Sequence, residues 1–165
     1  MDILKTVIFE DLFGYILQGF AIVLGVYAFN KQKLNFKKYM LASILVMFFS
    51  FLVRYLPISY GVHTILNILF SFLICTLFLG MPGYSTVRST LFVTVLLLIN
   101  EMVLVAIMIS ILGQEKFEDM MQYPIEKAIL VAPASISFAL IVYIAYYILV
   151  KRSKNKGEHS GNISK

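Results

Sequence analysis

Tryptophan is absent from this chain of 165 residues, cysteine occurs once and histidine twice, and charged residues make up only 14%. Each shortage excludes something. The single Cys75 has no partner for an internal disulfide, so cysteine usage says nothing about redox compartment. Two histidines, His63 and His159, are too few for an HExxH zinc helix or any site built from His and Cys clusters. An ordinary soluble domain carries about 25% charged residues, nearly twice the share found here. Disordered chains are charge-rich and poor in aromatics, whereas this one has 14 Phe and 10 Tyr. The net charge of +5 (14 minus 9) is gathered in a few stretches, so nucleic acid is not an expected partner.

What is abundant is apolar surface: 60% hydrophobic residues and a mean hydropathy of +0.87. A helix crossing a membrane needs about 20 mostly apolar residues, because each residue climbs about 1.5 Å through a core about 30 Å thick. Five stretches meet that need: Leu12 to Phe29, Tyr39 to Leu56, Val62 to Leu79, Thr90 to Leu112 and Ile125 to Val150. The joints NKQKLNFKK, PISYG, GMPGYSTVRS and GQEKFEDMMQYP are too short to fold separately, and no segment repeats another. The sequence therefore predicts an all-α, polytopic integral membrane protein. Residues 1–152 form a five-helix membrane domain, and residues 153–165 a disordered basic cytoplasmic tail.

Basic residues near span ends tend to stay cytoplasmic. Lys31, Lys33, Lys37, Lys38, Arg88, Lys151, Arg152, Lys154, Lys156 and Lys165 fall on one side; Lys5, Arg54, Lys116 and Lys127 fall on the other. Ten against four predicts the amino terminus outside and the carboxyl terminus inside. A cleaved signal peptide carries its positive charge before the apolar run, whereas here the lysines follow it, so the first span is expected to remain. Ahead of that span, Ile3, Leu4, Val7 and Ile8 share one helical face. They read either as a helix lying in the outer interface or as an extended start of the first helix. The NIS stretch of the tail sits on the predicted inner side, where a glycosylation pattern has no meaning.

Polar groups at membrane depth are costly and often mark function. Glu101 stands out, beside Asn100 in the fourth span and roughly 10–15 Å below the outer surface at the helical rise. Gln18, Asn67, Ser135 and Ser137 fall in the same outer half, with Arg54 and His63 shallower, flanking PISYG. The inner half of each span reads as almost wholly apolar. One reading is an outward-facing polar pocket in which Glu101 binds a ligand group or moves a proton, with Arg54 as counter-charge. The other is an interhelical hydrogen-bond layer worth about 0.6 kcal/mol per bond. For Asn67, Gln18 and the serines the second is favoured; for Glu101 the first, because a carboxylate is an expensive way to join helices. Asn100 and Glu101 lie about 100° apart around their helix, so they do not converge on one narrow site. His63 fits an interfacial ring at the head of its span better than a ligand contact or a pH sensor.

In the fifth span Pro133 removes a backbone donor and predicts a kink whose freed carbonyl joins the polar layer. Ala128, Ala132, Ser135 and Ala139 follow a 4, 3, 4 spacing that makes a smooth face for helix packing, and Ala21 and Gly25 do so more weakly in the first span. Before the fifth span, Phe117, Met120 and Met121 lie on one side of a predicted short helix with Glu115, Glu118 and Asp119 among the rest. Interface anchoring explains this better than peptide contact through an adaptable methionine surface. No catalytic constellation accompanies these features. Cys75 and His63 are on one helix, about 18 Å apart. The aspartates Asp2, Asp11 and Asp119 are outside the spans, and neither a phosphate-binding glycine loop nor a GxSxG elbow occurs. The expectation is a non-enzyme without cofactor or metal.

The segment VRYLPISYGVHTILNIL, Val53 to Leu69, with its tight hairpins and basic exit from the last span, resembles the amino-terminal membrane sensor regions of Gram-positive sensor histidine kinases of the peptide-quorum-sensing type. The chain departs from that family after Val150, where 15 residues are too few for a dimerisation helix pair and an ATP-binding domain. The resemblance implies a stand-alone sensor-like module that detects an outer or membrane-borne signal, with Arg54, Pro57, Gly61 and His63 shaping the outer turn. In a bacterial cytoplasmic membrane it would act through a separate partner, a histidine kinase-like regulator, and a homo-oligomer is compatible with the same reading. The opposing expectation is a small subunit of a transporter or envelope-assembly complex with Glu101 as substrate or proton site.

Overall fold

The apolar runs become helix over most of their length. A computed structural model describes the backbone of residues 2–54, 56 and 60–161 and the side chains of residues 16–53, 56, 61–123, 126–127 and 129–150. Within these residues there are six helices and no strand: α1 (Asp2–Phe29), α2 (Phe36–Arg54), α3 (Tyr60–Leu77), α4 (Gly83–Leu112), α5 (Gln114–Met120) and α6 (Pro124–Gly161). Three stretches are long and apolar enough to cross a membrane, Phe36–Val53, Gly83–Leu112 and Ile129–Val150; Ile16–Phe29 and Gly61–Leu77 are apolar but shorter. A membrane-associated, all-helical protein follows.

Helix α1 is the hub, packed against α2, α3, α4 and α6, while α2 also lies along α3. It runs unbroken from Asp2, so the segment from Ile3 to Ile8 continues the first helix by its backbone; the side chains before Ile16 lie outside the described residues. Helix α4 begins seven residues before the expected Thr90, directly after Pro82. Proline fixes its own φ and lacks a donor that a helix start would leave idle, so the turn-rich reading of GMPGYSTVRS gives way to helix at Gly83. Gly113, at φ 82°, closes α4 and opens the short α5, a conformation that glycine adopts at little cost.

The core consists of small and branched side chains from α1, α2, α3, α4 and α6, among them Val23, Val26, Val46, Cys75, Val93, Phe138 and Val142. Close approach is made possible by glycine. A Cβ on Gly19 would lie 3.2 Å from Met47 Cβ and 3.3 Å from its Cα, and one on Gly25 would lie 2.7 Å from Val93 Cγ2. In lipid, where apolar side chains gain nothing by leaving an apolar solvent, such contacts carry much of the association. The outer surface is a belt of large apolar residues, including Leu41, Ile44 and Phe48 on α2 and Ile136, Leu140 and Ile144 on α6. That belt is what a lipid-facing surface requires.

At the end where α1 leads into α2 and α3 into α4, a polar knot joins the helices. Asn30 Nδ2 donates to the Val26 carbonyl at 2.9 Å, and the Ser85 hydroxyl donates to Asn30 Oδ1. The Leu34 amide donates to the Tyr146 hydroxyl at 3.2 Å, and the Tyr39 hydroxyl to the Phe20 carbonyl at 3.0 Å.

Candidate functional site

Two adjacent residues of α4 do different work. Asn100 is buried and faces α6: its Nδ2 donates to the Ala134 carbonyl at 2.9 Å, and its Oδ1 lies 3.0 Å from the Ser137 hydroxyl. Ser137 is also 3.0 Å from the Ala134 carbonyl, and with one proton it donates to one of the two acceptors at a time. Glu101, about 100° further round, is half-buried and faces α1, where Gln18 Nε2 donates to its Oε1 at 3.5 Å, the outer limit of a hydrogen bond. One turn of α4 is thus tied to α6 firmly and to α1 weakly.

Glu101 also borders an open groove lined by Leu98, Met102, Val105, Ala106 and Ile109. All of these belong to α4, so the groove is a helix face with no opposite wall. Met102, Val105 and Leu98 are exposed there. A carboxylate against such a face is the costliest polar placement in the bundle, since insertion of a charged residue mid-helix costs about 2.5–3.5 kcal/mol.

Among the described residues, neither Asn67 nor His63 is hydrogen-bonded to Glu101. Asn67 on α3 is half-buried with its Oδ1 enclosed and without a hydrogen bond. His63, at the head of α3, is half-buried, and no hydrogen bond or ion pair among the described residues links it to Glu101. The side chains of Arg54 and Ala128, like those of Lys151 to Lys165, lie outside the described residues. On α6 the buried line is Leu130, Ala134, Phe138 and Val142; Ser135 is buried beside it, Ala139 packs against the core, and Ala132 is exposed. Pro133 sits within α6, and the carbonyl that meets Asn100 is that of Ala134. A proline at 133 frees the carbonyl four residues earlier, at Ile129, so Asn100 answers a different acceptor from the one expected.

The amino-terminal half of α4, expected to be almost wholly apolar, is polar on its buried face. Thr86, Ser89 and Thr90 are buried there. Thr86 donates to the Pro82 carbonyl at 2.9 Å, Thr90 to Thr86 at 2.8 Å and Thr94 to Thr90 at 2.9 Å. Each threonine hydroxyl returns to its own helix, which satisfies it in lipid without a partner helix, whereas the buried Ser89 hydroxyl makes no hydrogen bond. The i, i+4 spacing of these threonines is the signal that could have revealed the ladder. Among the described residues no three His, Cys, Asp or Glu side chains gather to hold a metal. No known protein-family profile matches the chain, and no curated protein or solved structure is significantly similar to it.

Proposed function

We propose that the chain is a sensor-like or regulatory membrane protein of five spans, with its amino terminus outside and its carboxyl terminus in the cytoplasm of a bacterial cell. In this reading it detects an extracellular or membrane-borne signal and acts through a partner membrane protein. The excess of basic residues at one set of span ends supports the orientation. The single observation that carries the function is the division of labour on one turn of α4: Asn100 locks α4 to α6, while neighbouring Glu101 rests on a weak 3.5 Å contact to Gln18 beside an open apolar face. A binder that engages Glu101 competes with Gln18, loosens α1 from α4, and leaves α4 and α6 to move together. Two states of one packed element, biased by a contact at one end, are what signal transmission needs.

The same carboxyl supports a second reading, a subunit of a transporter or envelope-assembly complex with Glu101 as substrate or proton site. The test is reconstitution of the full chain in liposomes loaded with a pH-sensitive dye, for the native protein and Glu101→Gln. The regulatory reading expects no imposed-gradient proton flux attributable to Glu101. In cells it expects a stable membrane partner whose output responds to an outside signal, a response that Glu101→Gln abolishes. Flux that is present and lost in Glu101→Gln overturns it in favour of transport.

A further inference from the structure

The exposed face of α4 has a sequence order that specifies more than general stickiness. Leu98, Met102, Val105 and Ile109 recur at steps of four, three and four residues, the spacing of a two-helix seam in which side chains of one helix fill holes in the other. Ala106 and Glu101 flank that seam on opposite sides, in the positions where paired helices place a small residue for close approach and a charge for a cross-helix pair. All six residues line one continuous groove, which runs for roughly 16 Å along α4 at the helical rise. A small molecule is held by walls on several sides; this groove has walls from a single helix, so its shape complements another helix.

The carboxyl decides what kind of helix. Glu101 is half-buried, accepts one weak hydrogen bond from Gln18, and borders the open apolar face. A second copy of this chain is poorly equipped to answer it. Its spans hold no Lys or Arg near the middle: Arg54 ends α2, Lys127 lies in the first turn of α6, and Arg88 lies 13 residues before Glu101 in α4, roughly 20 Å away at the helical rise. Resting on the partner-dependent reading above, we infer that the groove of α4 docks a transmembrane helix of a different protein, one that carries a single Lys or Arg at the depth of Glu101. The apolar seam supplies packing, which any well-shaped membrane helix shares. The ion pair supplies the choice, because a basic residue in lipid is strongly penalised unless it meets an acid.

The probe for this inference is a pair of synthetic poly-leucine transmembrane helices, alike except for Lys or Leu at the central position. Their association with the donor-labelled full chain is followed by energy transfer in phosphatidylcholine vesicles. The Lys helix is expected to bind about tenfold more tightly than the Leu helix, the scale of one good interhelical polar pair. Glu101→Gln should erase that difference, Glu101→Asp should retain part of it, and Met102→Trp should weaken both helices by obstructing the seam. Binding of the Leu helix by Glu101→Gln as tightly as by the native chain shows that the variant's bundle is intact, so loss of the Lys preference there is not misfolding. Equal binding of the two helices by the native chain overturns the inference. So does efficient disulfide formation between copies carrying Met102→Cys, which would assign the face to self-association. If the two helices bind equally while a photo-crosslinker at Met102 still captures a regulator that responds to an outside signal in native membranes, the basic-residue inference falls and the regulatory reading stands. If neither occurs, both fall.

Discussion

Asn100 and Ser137 face each other across the contact of α4 and α6, with the Ser137 hydroxyl 3.0 Å from Asn100 Oδ1. The two are unequal partners. Asn100 depends wholly on α6, whereas Ser137 keeps the Ala134 carbonyl of its own helix as an alternative acceptor. Asn100→Leu should therefore cost about 1–2 kcal/mol of bundle stability, and Ser137→Ala under about 0.6 kcal/mol. Reversible unfolding in mixed micelles, run as a double-mutant cycle, reads both and their coupling. Equal costs would show that the Asn100 amide bond to Ala134 contributes nothing.

A second expectation concerns space rather than polarity. A Cβ at Gly25 would lie 2.7 Å from Val93 Cγ2 and 3.5 Å from Val142 Cγ1. Val93 is fully buried and β-branched, so its χ1 is held by the helix and it has little freedom to yield. Gly25→Ala should destabilise by about 1–3 kcal/mol despite the better helix propensity of alanine. Val93→Ala in the same chain should recover much of that loss, because it removes the two Val93 methyl groups, which lie 2.7 and 3.1 Å from that Cβ. If Gly25→Ala stabilises the bundle, α1 and α4 are not in close contact there.

Phe138 tests what holds the core. It is fully buried, while Leu140, two residues on in the same helix, is exposed on the apolar belt. In lipid neither side chain gains by leaving the solvent, so only lost packing counts. Phe138→Ala should cost about 2–4 kcal/mol through its cavity, and Leu140→Ala under about 0.5 kcal/mol. The same unfolding assay decides it; comparable costs would show that the surface of α6 bearing Leu140 is packed against protein.

These contrasts also show where sequence reading works. The apolar runs were legible because length and hydropathy are local properties, and every stretch read as a span lies within helix except at a terminus or two. Glu101 and Asn100 were legible as divergent because 100° per residue is a property of any helix. The start of α4 was hidden by polar letters, Tyr84 to Arg88, that hydropathy scores as a joint although Thr86 returns its hydroxyl to Pro82. Non-local pairings left no trace: Asn30 meets Ser85 across 55 positions, and Leu34 meets Tyr146 across 112. Along the small-residue stripe of α6, Ser135 is buried while Ala132 is exposed. Spacing finds a smooth face, but which side of a helix meets its neighbours is set by the neighbours.

Whether α3 crosses the membrane bears directly on the number of spans. Its apolar stretch Gly61–Leu77 is 17 residues long, about 26 Å at the helical rise against a core about 30 Å thick. Helices shorter than the core are accommodated by local thinning of the bilayer, so crossing is compatible with this length and can be measured. Gly61 is exposed, and a Cβ there meets nothing within 4 Å, which makes Gly61→Cys a benign probe of the α2–α3 turn. Lys33, Arg88 and Glu118 are likewise exposed, and the native Cys75 is fully buried and silent toward a polar maleimide. In intact cells a membrane-impermeant maleimide should label Gly61→Cys and Glu118→Cys, and should reach Lys33→Cys and Arg88→Cys only after permeabilisation. Reversed labelling would invert the orientation. Labelling of Glu118→Cys but not Gly61→Cys would mean that α2 and α3 do not cross as a pair, reducing five spans to three and placing Asn67 outside the layer that holds Asn100.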